Sequence, residues 1–187
     1  MTDNVNHLTI GAAELYFAEG EAACQPSTPM ADPTSFGNIV TSEISPDITY
    51  VDHYVSQKGS KNKDKSVAVT KTLTIPFTFD ELSPENVRKF MLGGDLNASK
   101  TVVMDEESYE GRAILNFQTG VGQNFVYAVP KCTLKPDGAL TTNVDDWMQA
   151  NFVLEVLYHD EYRINNTGSL APYGFMDFDA VAIGSPF

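Results

Sequence analysis

The first 57 residues carry eight acids and not one lysine or arginine. Over all 187 residues, 25 acids outweigh 12 basic residues, a net charge of −13. That balance argues against gripping nucleic acid through its phosphates, which needs a basic face. Long apolar runs are missing too: nothing approaches the roughly 20 residues of a membrane-spanning helix. The opening MTDNVNHLTIG has neither the basic region nor the apolar core of a signal peptide, so synthesis and retention in the cytoplasm are expected. Cysteine is scarce. Cys24 and Cys132 stand far apart without metal-ligand spacing, and reduced thiols are expected. His7, His53 and His159 are scattered singly, which gives no metal site. No GxSxG elbow, Walker loop or distinctive acid pair is present. Gly120-Val121-Gly122 lacks the spacing of a phosphate loop. Neither an enzyme nor a cofactor is therefore expected. Asn97-Ala98-Ser99 and Asn165-Asn166-Thr167 read as chance matches to the glycosylation pattern.

What is present is a long alternation. Val67, Val69, Leu73, Ile75, Phe77 and Phe79 interleave with Ala68, Thr70, Thr72, Thr74 and Thr78, with Lys71 as the single charge. This predicts a strand with one oily and one hydroxyl face, roughly 40 Å long at about 3.3 Å per residue. Just before it, Lys58, Lys61, Lys63 and Lys65 form a basic stretch between two acidic bodies. Ile48 to Gln57 reads as the partner strand, joined across a long lysine-rich loop expected to be mobile in the isolated chain.

Along the rest of the chain, His7 to Phe17 predicts a strand interrupted at Gly11 to Ala13. Residues 18–35, with Pro26, Pro29 and Pro33, read as a loop or arm. Phe36 to Ser45 predicts a strand closed by Pro46. Leu82 to Gly94 predicts the one helix, with Ser83 as N-cap, Pro84 at the first position, Leu82 stapled onto Val87, an apolar stripe of Val87, Phe90 and Met91, and the pair Gly93 and Gly94 as its end. Lys100 to Met104 reads as a short strand, Arg112 to Thr119 and Asn124 to Leu134 as a hairpin, and Trp147 to Tyr158 as a core strand. His159 to Phe187 has no sustained period and reads as an extended arm. The whole is expected to be a single domain.

In this order, LTIGAAELYFAEG, FGNIVTSEISPDITYVDHYVSQ, the charged loop, VTKTLTIPFTF and SPENVRKFMLGG, the chain resembles the tail tube (major tail) proteins of long-tailed, siphovirus-type bacteriophages, as far as Tyr158. The resemblance implies a mainly β fold: a β-sandwich or half-barrel with one flanking α-helix and extended terminal arms. It implies rings, commonly of six, that stack into a tube, with long hairpins from each copy joined into one β-barrel lining a DNA channel. Carried onto this sequence, the barrel hairpins are 47–79 and 111–134, and the loop 57–66 with Lys58, Lys61, Lys63 and Lys65 reaches the adjacent ring. The channel-facing candidates are Thr70, Thr72, Thr74, Thr78, Asn116 and Gln118. The implied partners are other copies of the chain, tape measure, tail terminator and distal tail proteins, with DNA only as transiting cargo and no membrane insertion; the implied location is the virion, after synthesis in the host cytoplasm. The roles of 18–35 and 159–187 do not transfer. Two alternatives stand beside this reading: another β-sandwich virion protein, such as a tail terminator or decoration protein, and a secreted carbohydrate-binding β-sandwich using Tyr50, Tyr54, Tyr109 and Tyr173.

Overall fold

The computed structural model describes residues 11–20, 33–95, 97, 100–119, 125–140, 147–164 and 167–178. The fold is mainly β. Its elements are β1 (Gly11–Glu19), β2 (Thr34–Ser35), β3 (Ile39–Ser42), β4 (Ser45–Gln57), β5 (Ser60–Phe79), α1 (Pro84–Phe90), β6 (Tyr109–Thr119), β7 (Phe125–Pro136), β8 (Ala150–Val156) and β9 (Phe175–Asp177). They form one antiparallel sheet in the order β2-β1-β6-β7-β8-β5-β3, with β4 added to β5 and β9 to β7. The sheet is not closed, but it rolls far enough for β1 to lie against β3.

Period-two alternation builds the core. Along β8, Ala150, Phe152, Leu154 and Val156 are buried while Asn151, Val153 and Glu155 turn outward. They pair in register with Phe79, Phe77, Ile75 and Leu73 of β5. Phe36, fully buried on the connection from β2 to β3, makes edge contacts with Phe77, Phe79 and Phe152. Its N–H donates to the Leu15 carbonyl at 3.1 Å, tying the two ends of the rolled sheet to one centre.

Helix α1 begins as expected: the Ser83 hydroxyl accepts from the Asn86 N–H at 3.2 Å, and Pro84 occupies the first turn. Its end differs from the expectation. Leu92, not a glycine, takes the left-handed conformation at φ 49°. The Gly93 N–H then donates to the Arg88 carbonyl at 2.9 Å and the Leu92 N–H to the Lys89 carbonyl at 3.2 Å, the paired bonds of a Schellman ending. Gly93 and Gly94 serve close approach instead, since a Cβ on either would collide with Thr101 or Asp105.

Other expectations are corrected. Strand β1 runs without a break from Gly11 to Glu19, pairing with β6 throughout; residues before 11 lie outside the described part. Of the stretch 18–35, the described ends belong to β1 and β2, and 21–32 lie outside the described residues. Lys100 to Met104 is not a strand: only an isolated bridge joins Asn97 and Lys100, because the backbone there bonds to the end of the helix. The stretch from His159 does not extend away over its described part. Its His159 N–H donates to the Pro172 carbonyl, β9 pairs with β7, and Tyr162 is buried. Its aromatics cover the sheet, with Tyr162 near the Arg112 guanidinium and the Tyr127 hydroxyl donating to the Tyr173 carbonyl at 2.6 Å.

Candidate functional site

Strand β5 has 20 residues, about 65 Å if fully extended. Its two parts differ in environment. From Leu73 to Phe79 it is a core strand with β8 on one edge; from Ser60 to Thr72 every residue is exposed and, among the described residues, β4 is the only strand beside it. The β4–β5 hairpin thus stands out from the body. Among the described residues no strand pairs with the outer edge of β4, nor with the β8-side edge of β5 from 61 to 72. Two long rows of backbone donors and acceptors are left open, and an isolated two-stranded ribbon is marginal in water.

The near part of the hairpin keeps the expected polar face. Thr74 pairs with Ser45, Thr72 with Asp47 and Thr70 with Thr49, three rungs of hydroxyls and a carboxylate. Beyond them the alternation from Val67 to Phe79 fails, because β5 carries a bulge at Val69, where two of its residues are spent against one step of β4; a second bulge lies at Asp64. A one-residue slip exchanges faces. Val67, opposite Val51, therefore joins the threonine side, while Ala68 and Tyr50 share the other side with Ile48 and Lys71. Ile48, Tyr50, Val51, Val67 and Val69 are all large apolar side chains exposed on this ribbon.

The lysine stretch is not a long loop. Strand pairing continues to Gln57 and Ser60, and the turn is Lys58-Gly59 alone, with φ of 49° and 79°. Two consecutive positive φ values define the tight turn that matches strand twist. The repulsion expected among the lysines is relieved across the ribbon: Lys63 Nζ lies 2.7 Å from Asp52 Oδ1, and His53 Nδ1 lies 2.7 Å from Asp64 Oδ1. Ser66 donates to the same Asp52 oxygen, and Lys61 Nζ sits 4.7 Å from the Tyr54 ring centre. Hydrogen bonds from Lys63 first and Ser66 second hold the Asp52 carboxyl below the usual carboxylate range.

A second cluster, with no signature in the residue pattern, lies where α1 meets β1. Arg88 and Lys89 are buried, Lys89 1% exposed, yet both are cations. Glu19 accepts from Lys89 Nζ at 2.6 Å and from Arg88 at 2.8 Å, and Glu85 accepts from both. Tyr109 donates to the Gly93 carbonyl at 2.6 Å, and burial pushes its hydroxyl up to about 12. Burial would raise the Glu85 carboxyl, but bonds from Arg88 and Lys89 outweigh it and hold the group low. The expected stripe is corrected accordingly. Phe90 is buried against Phe152 and Met91 packs on the core, whereas Val87 is only half-buried and the buried face runs through Asn86, Lys89 and Phe90. Buried cations are tolerable here because the carboxylates come with them.

Of the channel-facing candidates, Thr70 and Thr72 are exposed on the ribbon, and Thr74 and Thr78 are half-buried on the same outer face, where Thr78 donates to Asn151 at 2.8 Å. A polar cleft of about 320 Å³, lined by Thr41, Glu43, Thr78, Asp137 and Asn151 among others, hollows that face. Asn116 is 6% exposed within a single chain, so it does not line a channel. The side chain of Gln118 lies outside the described residues. The β6–β7 hairpin also differs from the expectation: β1 takes one side and β8 with β9 the other, leaving no long edge to join a neighbour. No protein-family model matches the chain, and no curated protein matches it.

Proposed function

We propose that the protein is a structural subunit of a phage tail tube, polymerising through β4 and β5 into rings that stack around a DNA channel. The observation that carries this is the ribbon itself: a long hairpin open on both edges beyond Leu73, with β5 exposed throughout Ser60 to Thr72, which gains its missing hydrogen bonds when the outer edge of β4 meets the outer edge of β5 in the next copy. Closing the ring removes every such edge.

Strand number refines the reading. A ring of six, common in the family the sequence resembles, closes only about twelve strands from this hairpin alone, fewer than the roughly 16–18 at which barrels hold an aqueous channel. The outer face of β8 continues the wall, with Asn151 and Glu155 beside Thr78 and Thr74, and β7 follows with the exposed Lys135, while Thr133 is buried. These two strands carry the polar wall past the end of the β4–β5 ribbon. DNA carries a charge about every 1.7 Å of its axis. A wall of hydroxyls and carboxylates, with Lys135 held by Glu155 at 2.7 Å, gives those phosphates little to bind, and the duplex slides. DNA is cargo, and the other partners are the tape measure, terminator and distal tail components of a virion. Electron microscopy of the concentrated purified protein tests the proposal: tubes of open-ended length support it, while single closed rings point to a terminator and dispersed monomers contradict both.

A further inference from the structure

The segment between α1 and β6 presents three consecutive apolar side chains to solvent: Val102, Val103 and Met104 are 66%, 51% and 71% exposed. Scattered surface apolar residues need no explanation, but a contiguous group held outward does. The backbone here cannot turn them in. The Met104 N–H donates to the Met91 carbonyl at 3.0 Å, and the Asp105 and Glu106 N–H groups both donate to the Leu92 carbonyl, at 2.9 and 3.0 Å. On the near side the Gly94 N–H donates to the Val102 carbonyl, and the Thr101 hydroxyl returns a bond to the Gly94 carbonyl at 2.6 Å. Met104 holds a φ of 59°, a left-handed conformation unfavourable for a residue with a Cβ. Asp105, Glu106 and Glu107 follow at once, all exposed. The result is a fixed apolar ridge with an acidic flank.

We propose that this ridge is a docking surface and that its occupant is the β4–β5 hairpin tip of a second copy. The proposal rests on the reading that copies of the chain assemble, and it names the surface that receives the tip. The tip and the ridge are complementary in charge and polarity. Lys58, Lys61 and Lys65 are exposed cations at the tip, set against the three carboxylates beside the ridge. Tyr54, 43% exposed with the Lys61 ammonium over its ring, presents an aromatic surface and a cation together, as a ridge of Val, Val and Met with an acidic flank requires. The lysine–carboxylate attraction is screened over about 10 Å at 0.1 M, whereas salt does not screen the apolar contact.

The test is cross-linking between copies of the full chain. Lys61→Cys and Met104→Cys proteins, each also carrying Cys24→Ser with the buried Cys132 retained, are mixed under mild oxidation. The 61–104 disulfide between copies should form at least tenfold faster than one between Met104→Cys and a control Asp137→Cys protein, and should slow with salt. Reversing Asp105, Glu106 and Glu107 to lysine should remove the advantage. Cross-linking at the control rate, or one indifferent to the reversal, overturns the docking. If tubes form while cross-linking stays at the control rate, the docking falls and the tube reading stands. If cross-linking is fast among copies that never make tubes, the docking stands and the tube reading falls.

Discussion

Lys63 and Asp52 face each other across the projecting ribbon, ammonium to carboxylate at 2.7 Å, with the Ser66 hydroxyl on the same oxygen. This pairing sets one of the lysines against a carboxylate across the two strands. Because the Asp52 carboxyl is held below its ordinary value, its contribution is complete above the unfolded carboxylate range, about 3.9, and is lost as pH falls through the lowered folded value. Asp52→Asn should raise amide exchange across residues 60–66 at neutral pH, and wild type should approach the variant in acid. Equal exchange in the two proteins at pH 7 would remove the pair from the account.

The cluster joining α1 to β1 makes a stability prediction. Glu19→Ala leaves Lys89 and Arg88 with Glu85 as their remaining close partner, since Asp95 approaches Arg88 only at 3.9 Å. Breaking a buried pair costs 3–5 kcal/mol, and the partial exposure of Glu19 reduces this to about 2 kcal/mol. Thermal unfolding measures it. Glu85 adds a pH signature: its lowered carboxyl stabilises the fold above about pH 4.3, and the contribution disappears as pH falls through its folded value. The gap in Tm between wild type and Glu85→Gln should therefore narrow in acid; a gap unchanged down to pH 2 contradicts the assignment.

The outer face of β5 makes a functional prediction. Lysines introduced at Thr70 and Thr72 stand on exposed rungs opposite Thr49 and Asp47, so the fold has room for them. In an assembled wall each would meet passing phosphates. Tube formation should survive while DNA release in an infection assay slows at least tenfold. Unchanged release would place these threonines away from the channel.

The legible parts were those decided locally. The alternation of Phe152, Leu154 and Val156, the Ser83-Pro84 helix start and the pairing of 48–57 with the strand that follows all appeared where expected. What was hidden depends on partners distant in sequence or on the backbone alone. Lys89 reads as a solvated charge until Glu19, 70 residues earlier, is placed beside it. The bulge at Val69 carries no side-chain signature, so Ala68 reads as part of the threonine face although it turns to the other side. Tyr162 and Phe175 lie in an aperiodic stretch, and their packing against the sheet follows from the tertiary fold. Asn116 is a channel-facing candidate only through the family resemblance, and the burial of both faces of β6 in one chain is something that resemblance could not express.

The most direct measurement is amide hydrogen exchange of residues 45–57 and 60–72, compared between dilute monomer and concentrated polymer. The outward-facing half of those amides has no strand partner in one chain and should exchange rapidly in the monomer, then become at least a hundredfold slower in the polymer, while the core amides of β8 change little. If the polymer forms and the ribbon amides exchange as fast as before, or if the protein stays monomeric at every concentration, the edges of β4 and β5 are not what joins one copy to the next.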